Sequence, residues 1–87
     1  MARQVELGLI RHKMKNQSSQ WPSTKAQLVL TALLRNGWEI KRQRGSHRTL
    51  AKSGWPDYIF AYHDRVELGR VALELLGKKT GLRPEDL

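Results

Sequence analysis

From Ala26 the apolar residues Ala26, Val29, Leu30, Leu33 and Leu34 recur at the i, i+3, i+4, i+7, i+8 positions of one helical face. Thr24 followed three residues later by Gln27 fits a capping box that starts this helix, and Asn36-Gly37 supplies the residue that stops it. The period then falls to two. Trp38 and Ile40 point one way, Glu39 and Lys41 the other, as a half-buried strand from Trp38 to Arg44 requires. Gly45-Ser46 is the Gly-X pair of a two-residue type II′ hairpin turn, which sets Arg44 opposite His47 as a second strand begins. That strand runs through Lys52, Ser53-Gly54-Trp55-Pro56 turns the chain, and Asp57 to His63 reads as a third strand. Tyr58, Phe60 and Tyr62 share one of its faces and belong to the core rather than to a base-stacking platform.

Beyond Asp64, the residues Leu68, Ala72, Leu75 and Leu76 fit a second amphipathic helix from Gly69 to Thr80, closed by Gly81. Gly77 inside it costs about 1 kcal/mol relative to alanine, so this helix depends on packing. Leu82 and Leu87 with Pro84 between them suggest a tail folding back on the domain. The pattern therefore predicts an α+β fold in the order α-β-β-β-α, a three-stranded antiparallel sheet with two helices on one face. The other face is left for a ligand.

The first twenty residues read differently. Val5, Leu9, Ile10 and Met14 line one side of a short basic segment that ends in NQSSQ before Trp21-Pro22. Residues 1–20 are read as a weakly ordered basic arm, with a packed N-terminal helix as the competing reading, and residues 21–87 as a single domain. Met14 is an alternative start, and His12 has no supporting context.

The 87 residues carry a formal charge of +8, unevenly spread. Residues 1–20 contribute +3, residues 21–56 contribute +6, and the remainder −1. From Lys41 to Lys52 there are five cations, Lys41, Arg42, Arg44, Arg48 and Lys52, and no anion. Such a local field suits a phosphate backbone, against the plainer reading of a solvated basic face. Without cysteine, disulfides and thiolate metal sites are excluded. No apolar run approaches the roughly 20 residues needed to cross a bilayer. Met1 to Ile10 lacks the apolar core of a signal peptide, so a cytoplasmic protein with no membrane partner is expected.

With NGW ending the first helix, RQRGSH at the first hairpin and TGL closing the second helix, the chain resembles the HicA family over about Thr24 to Leu82. The resemblance implies a fold like that of a double-stranded RNA-binding domain. It further implies cleavage of mRNA as a toxin of a bacterial toxin–antitoxin pair, a cognate HicB-type antitoxin as partner, and His47 as the histidine of the GSH motif. The arm before Trp21 is extra relative to the short form of that family. The Gly54-Trp55-Pro56-Asp57 stretch and the Tyr62-His63 pair are not general features of it.

The chemistry of RNA cleavage fits these residues. A 2′-OH that attacks the adjacent phosphorus in line needs a group to take its proton, charge to stabilise the phosphorane, and a proton for the leaving 5′-oxygen. Histidine, with an ordinary pKa of about 6.5, suits both proton transfers. His47 is the expected general acid or base. Arg42, Arg44 and Arg48, with Lys41 and Lys52, are the expected phosphate contacts, although alternation lets only some of the three arginines share His47's face. Gly45 permits close backbone approach and Ser46 offers a hydroxyl, or both are ordinary hairpin residues. His63 is a possible second acid or base, or simply a strand-end side chain. A metal nuclease needs clustered carboxylates, which the basic segment lacks, and Asp57 and Asp64 lie too far apart along an extended strand to share an ion readily. Neither metal nor cofactor is expected. A noncatalytic RNA-binding module is the alternative reading. A DNA-binding regulator is weaker, because neither helix is strongly basic on one face.

Overall fold

The computed structural model describes residues 20–87. The arm expected over residues 1–20 falls outside the described residues except for Gln20, and so do His12 and Met14. The chain runs β1 (Thr24–Lys25), α1 (Ala26–Arg35), β2 (Glu39–Arg44), β3 (His47–Lys52), β4 (Trp55–Phe60), β5 (Glu67–Leu68), α2 (Arg70–Thr80) and a closing 3₁₀ turn (Pro84–Asp86). Strands β2, β3 and β4 form one antiparallel sheet in that order, and β1 pairs with β5 in a second, two-residue ladder. The expected α-β-β-β-α frame is present, with the β1–β5 ladder added to it.

One cluster makes the core. Val29, Leu30 and Leu33 from α1, Leu73 and Leu76 from α2, and Leu50 and Phe60 from the sheet are buried together with Trp38. Both helices thus cover the same face of the sheet. Tyr58 and Tyr62 pack against this cluster, as expected for the aromatic side of the third strand, and the Phe60 and Tyr62 rings meet edge to face at 5.4 Å. Burial, with Tyr62 adding to it, pushes the Tyr58 phenol up to about 12, so it stays neutral. Leu82 is buried and Leu87 partly so, which makes the tail fold back as read.

Several local expectations are corrected. The N-cap of α1 is Lys25 and makes no side-chain bond, while the Thr24 hydroxyl donates to the Pro22 carbonyl. The orphan N–H groups of Ala26 and Gln27 instead reach the carbonyls of Val66 (2.8 Å) and Asp64 (3.0 Å). The cap is supplied from forty residues away, because the β1–β5 ladder brings that loop over the helix end. Leu34 and Leu75, which the periodicity puts on buried faces, are exposed; Ala32 and Leu73 take inward positions, so each stripe is rotated by part of a turn. Ile40 is 42% exposed, since β2 is an edge strand of the sheet. Trp38 is buried but precedes β2, and its indole N–H donates to the Thr80 carbonyl at 3.2 Å.

The third strand starts and ends earlier than its composition suggested. Only Ser53-Gly54 forms the turn, since Lys52 already faces Trp55, and the strand stops at Phe60 rather than His63. Pro56 is accommodated because β4 lies at the sheet edge and the pairing is irregular there. Gly77 also acquires a reason. A Cβ at this position would lie 2.8 Å from the Leu82 carbonyl oxygen and 2.9 Å from the Trp21 ring, so the helix gives up propensity to let both approach.

Candidate nucleic-acid interface

The first hairpin forms as its sequence demands. Gly45 has φ +61° while among the described residues only glycines take a positive φ, the sign pattern of a type II′ turn with Gly first. Arg44 and His47 pair directly across it. In an antiparallel ladder, partners share a face, so Arg44 and His47 lie together on the side away from the helices. Arg42, paired with Thr49, and then Ile59, paired with Thr49 from β4, continue the same row.

An irregularity in β2 makes this possible. Ile40 pairs with Leu50 on the buried side, and Arg42 pairs with Thr49 on the open side, so Lys41 is an extra residue between them. By strict alternation Ile40, Arg42 and Arg44 would all share one face. The bulge at Lys41 flips the phase, leaving Ile40 on the core side and moving both arginines beside His47. Lys41 itself reaches the Asp57 carboxylate at 2.7 Å, and Asp57 belongs to the irregular stretch of β4.

Arg48 is separated from this row. It pairs with Gln43 and Phe60 on the helix side of the sheet, its side chain is only 13% exposed, and its Nη2 donates to Asp64 Oδ1 at 3.3 Å. Around it opens a recess of about 380 Å³ lined by Gly45, Ser46, Arg48, His63, Asp64 and Arg65. His63 therefore sits with Arg48, beyond the end of β4, and His47 does not line that recess. Lys52, at the far end of β3 from His47, holds its ammonium 5.8 Å from the Trp55 ring centroid.

The expected site residues thus divide into an exposed row, Arg42, Arg44 and His47, and a recess on the other side of the turn, while Lys41 is paired with Asp57 and Lys52 lies at the far end of β3. Arg48 and His63 stand out in the sequence, whereas Asp64 and Arg65 become their neighbours only through the return of the chain after β4. The larger recess of about 720 Å³ beside Trp21 and α2 shares no residue with the hairpin. Asp57 and Asp64 are engaged by different cations, and among the described residues no three of His, Asp and Glu gather around a common point. Among the same residues, no helix is long and apolar enough to cross a membrane.

No curated protein and no solved structure matches the chain. A family model described as the HicA toxin of bacterial toxin–antitoxin matches residues 27–82, from the first turn of α1 to the residue after Gly81. That span contains the whole hairpin, the three-stranded sheet, α2 and all of α1 but Ala26, and it covers well over half of the chain; the chain therefore belongs to the HicA family of toxins, generally ribonucleases that act with a cognate antitoxin.

Proposed function

We propose that this chain is a metal-independent endoribonuclease that cleaves mRNA in the cytoplasm, with His47 as general acid or base, and that a cognate HicB-type antitoxin restrains it. The observation that carries the reading is the pairing of His47 with Arg44 at an exposed hairpin mouth, with Arg42 on the same face, in a chain of this family. An RNA strand laid on the open face presents a phosphate to both guanidiniums, whose planar forks hold its oxygens while negative charge develops. His47, exposed and unencumbered by packing, exchanges a proton with the 2′-oxygen or the departing 5′-oxygen. The nucleophile belongs to the substrate, so the protein needs to supply only position, charge and proton transfer.

The test combines three measurements. Cleavage of single-stranded RNA should survive a chelator. It should vanish when the single 2′-hydroxyl before the cut is replaced by hydrogen. His47→Ala should lower the cleavage rate by about 10² to 10⁴, the usual contribution of a general acid or base. The melting temperature of that variant should barely move, because exposed substitutions change stability by about 0.5 kcal/mol or less. A His47→Ala protein that is folded and cuts at the parent rate would return the chain to the noncatalytic RNA-binding reading.

A further inference from the structure

Arg48 is an unusual residue for its position. It stands between Leu50 and the turn on the helix side of β3, opposite the fully buried Phe60, where an aliphatic side chain would satisfy the packing. Its Nη1 is buried and has no hydrogen-bond partner among the described residues. A guanidinium carries five N–H donors and no acceptor, and a buried donor left unmatched is costly. Asp64 engages only Nη2, at 3.3 Å, long for a charge-assisted bond, and the Asp64 side chain is itself 51% exposed. The carboxylate orients Arg48 without saturating it; Nη1 is closed off where it stands, and a swing of the side chain toward the recess is needed to present it to a ligand.

The surrounding groups have matching chemistry. His63 and Arg65, both exposed, flank the recess, and Ser46 brings a hydroxyl to its rim. Two guanidiniums, an imidazole and a hydroxyl face one carboxylate. This excess of donors disfavours a metal cation and fits a tetrahedral oxyanion with several acceptor oxygens.

We propose that this recess binds a phosphate group of the RNA strand, a second contact on the opposite side of the hairpin from His47. The proposal rests on the RNA-cleaving reading and adds a subsite to it. Gly45 and Ser46 border the recess at the hairpin tip, and His47 follows them facing the other way. A strand held at both places passes over the tip. Its flanking phosphate in the recess then fixes which linkage is presented to His47. The phosphate is either an internal diester or a terminal 5′-monoester; both present anionic nonbridging oxygens, the monoester one more than the diester.

The experiment uses the full chain and two probes. Inorganic phosphate, titrated while amide resonances are followed, should move Gly45, Ser46, Asp64 and Arg65, and should move them equally in His47→Ala. A 2′-O-methyl oligonucleotide, which cannot be cut, should bind about fivefold more weakly to Arg65→Gln and to His63→Gln at fixed salt. Both substitutions lie on exposed side chains, so the fold is retained. Asp64→Asn keeps an amide oxygen to accept from Arg48 but removes the competing charge, so it should tighten binding, and by more than Glu85→Gln, which removes the same charge from the C-terminal turn. Made with a 5′-phosphate and with a 5′-hydroxyl, the oligonucleotide separates the two sources. A gain from the 5′-phosphate that disappears in Arg65→Gln assigns the monoester, and equal weakening of both assigns the diester. The subsite is refuted if phosphate leaves the recess resonances unmoved, or if Asp64→Asn binds no better than Glu85→Gln. Either result leaves the His47 test standing, and a His47→Ala protein that still cuts RNA leaves the recess test standing.

Discussion

The two faces of the β2–β3 hairpin carry cations of the same kind and treat them differently. On the open face, Arg42, Arg44 and His47 extend from the sheet with no helix over them. On the inner face, Leu50 and Phe60 are sealed under both helices, and Arg48 is drawn into the margin of that packing with Asp64 as partner. A side chain in the first row can be chosen for chemistry, since it has few neighbours to satisfy. One in the second must also fit a wall. The bulge at Lys41 decides which residues fall in which row, so the difference between the faces turns on the presence of one residue rather than on its type.

Deleting Lys41 should therefore break the comparison most severely. Without the extra residue, either Arg42 and Arg44 turn toward the core or Trp38 and Ile40 turn away from it, and a loss of about 4 kcal/mol or more is expected in thermal or urea unfolding. Lys41→Ala keeps the residue count. It removes only an exposed ion pair with Asp57 and should cost less than about 1 kcal/mol. Equal losses from the deletion and the substitution would show that the bulge does not set the faces.

A smaller effect contrasts neighbours on the two sides of the sheet. Leu50→Ala, at a fully buried site, should cost about 2–5 kcal/mol. Ile59→Ala, 59% exposed on the open face, should stay within about 1 kcal/mol in the same urea titration. Gly77→Ala probes the tightness of the inner layer. Helix propensity alone favours alanine by about 1 kcal/mol, but the new methyl meets the Leu82 carbonyl and the Trp21 ring. The variant should instead lose about 1–3 kcal/mol, read as a lowered melting temperature.

The smallest expected effect is at the C-terminal turn that braces α1. The Asp86 carboxylate accepts the Arg83 backbone N–H at 2.8 Å and the Asn36 amide at 3.1 Å, while the Asp86 carbonyl accepts from Arg35 at 2.9 Å. The Arg83 N–H first, then the Asn36 amide and the charges of Arg83 and Arg35, hold the carboxyl below its usual range despite an opposing contribution from burial. A pKa lowered on folding means that the stabilisation is complete above the unfolded carboxyl's pKa and is lost as pH falls through the folded value. The stability difference between the parent and Asp86→Asn should be present at neutral pH and fade on acidification through that window. A difference constant with pH would assign the effect to the neutral hydrogen bonds.

The sequence by itself determined the order of elements, the type II′ turn, the Arg44–His47 pairing and the family. Each of these is local. A period of 3.6 or 2, a Gly that must take positive φ, and the motifs NGW, RQRGSH and TGL are all written within a few consecutive residues. Distant residues decided the rest. The cap of α1 comes from the loop at Asp64 and Val66, the strand β4 begins at Trp55 because Lys52 already pairs with it, and Leu73 rather than Leu75 turns inward. The division of the arginines belongs to this second class. Alternation alone places Arg42 and Arg44 with Ile40. A bulge is a property of two strands in register, visible only once Leu50 is fixed in the core and His47 is fixed by the turn. With both ends held, the chain between Ile40 and Arg44 has one residue too many for a regular ladder, and tertiary packing absorbs it at Lys41.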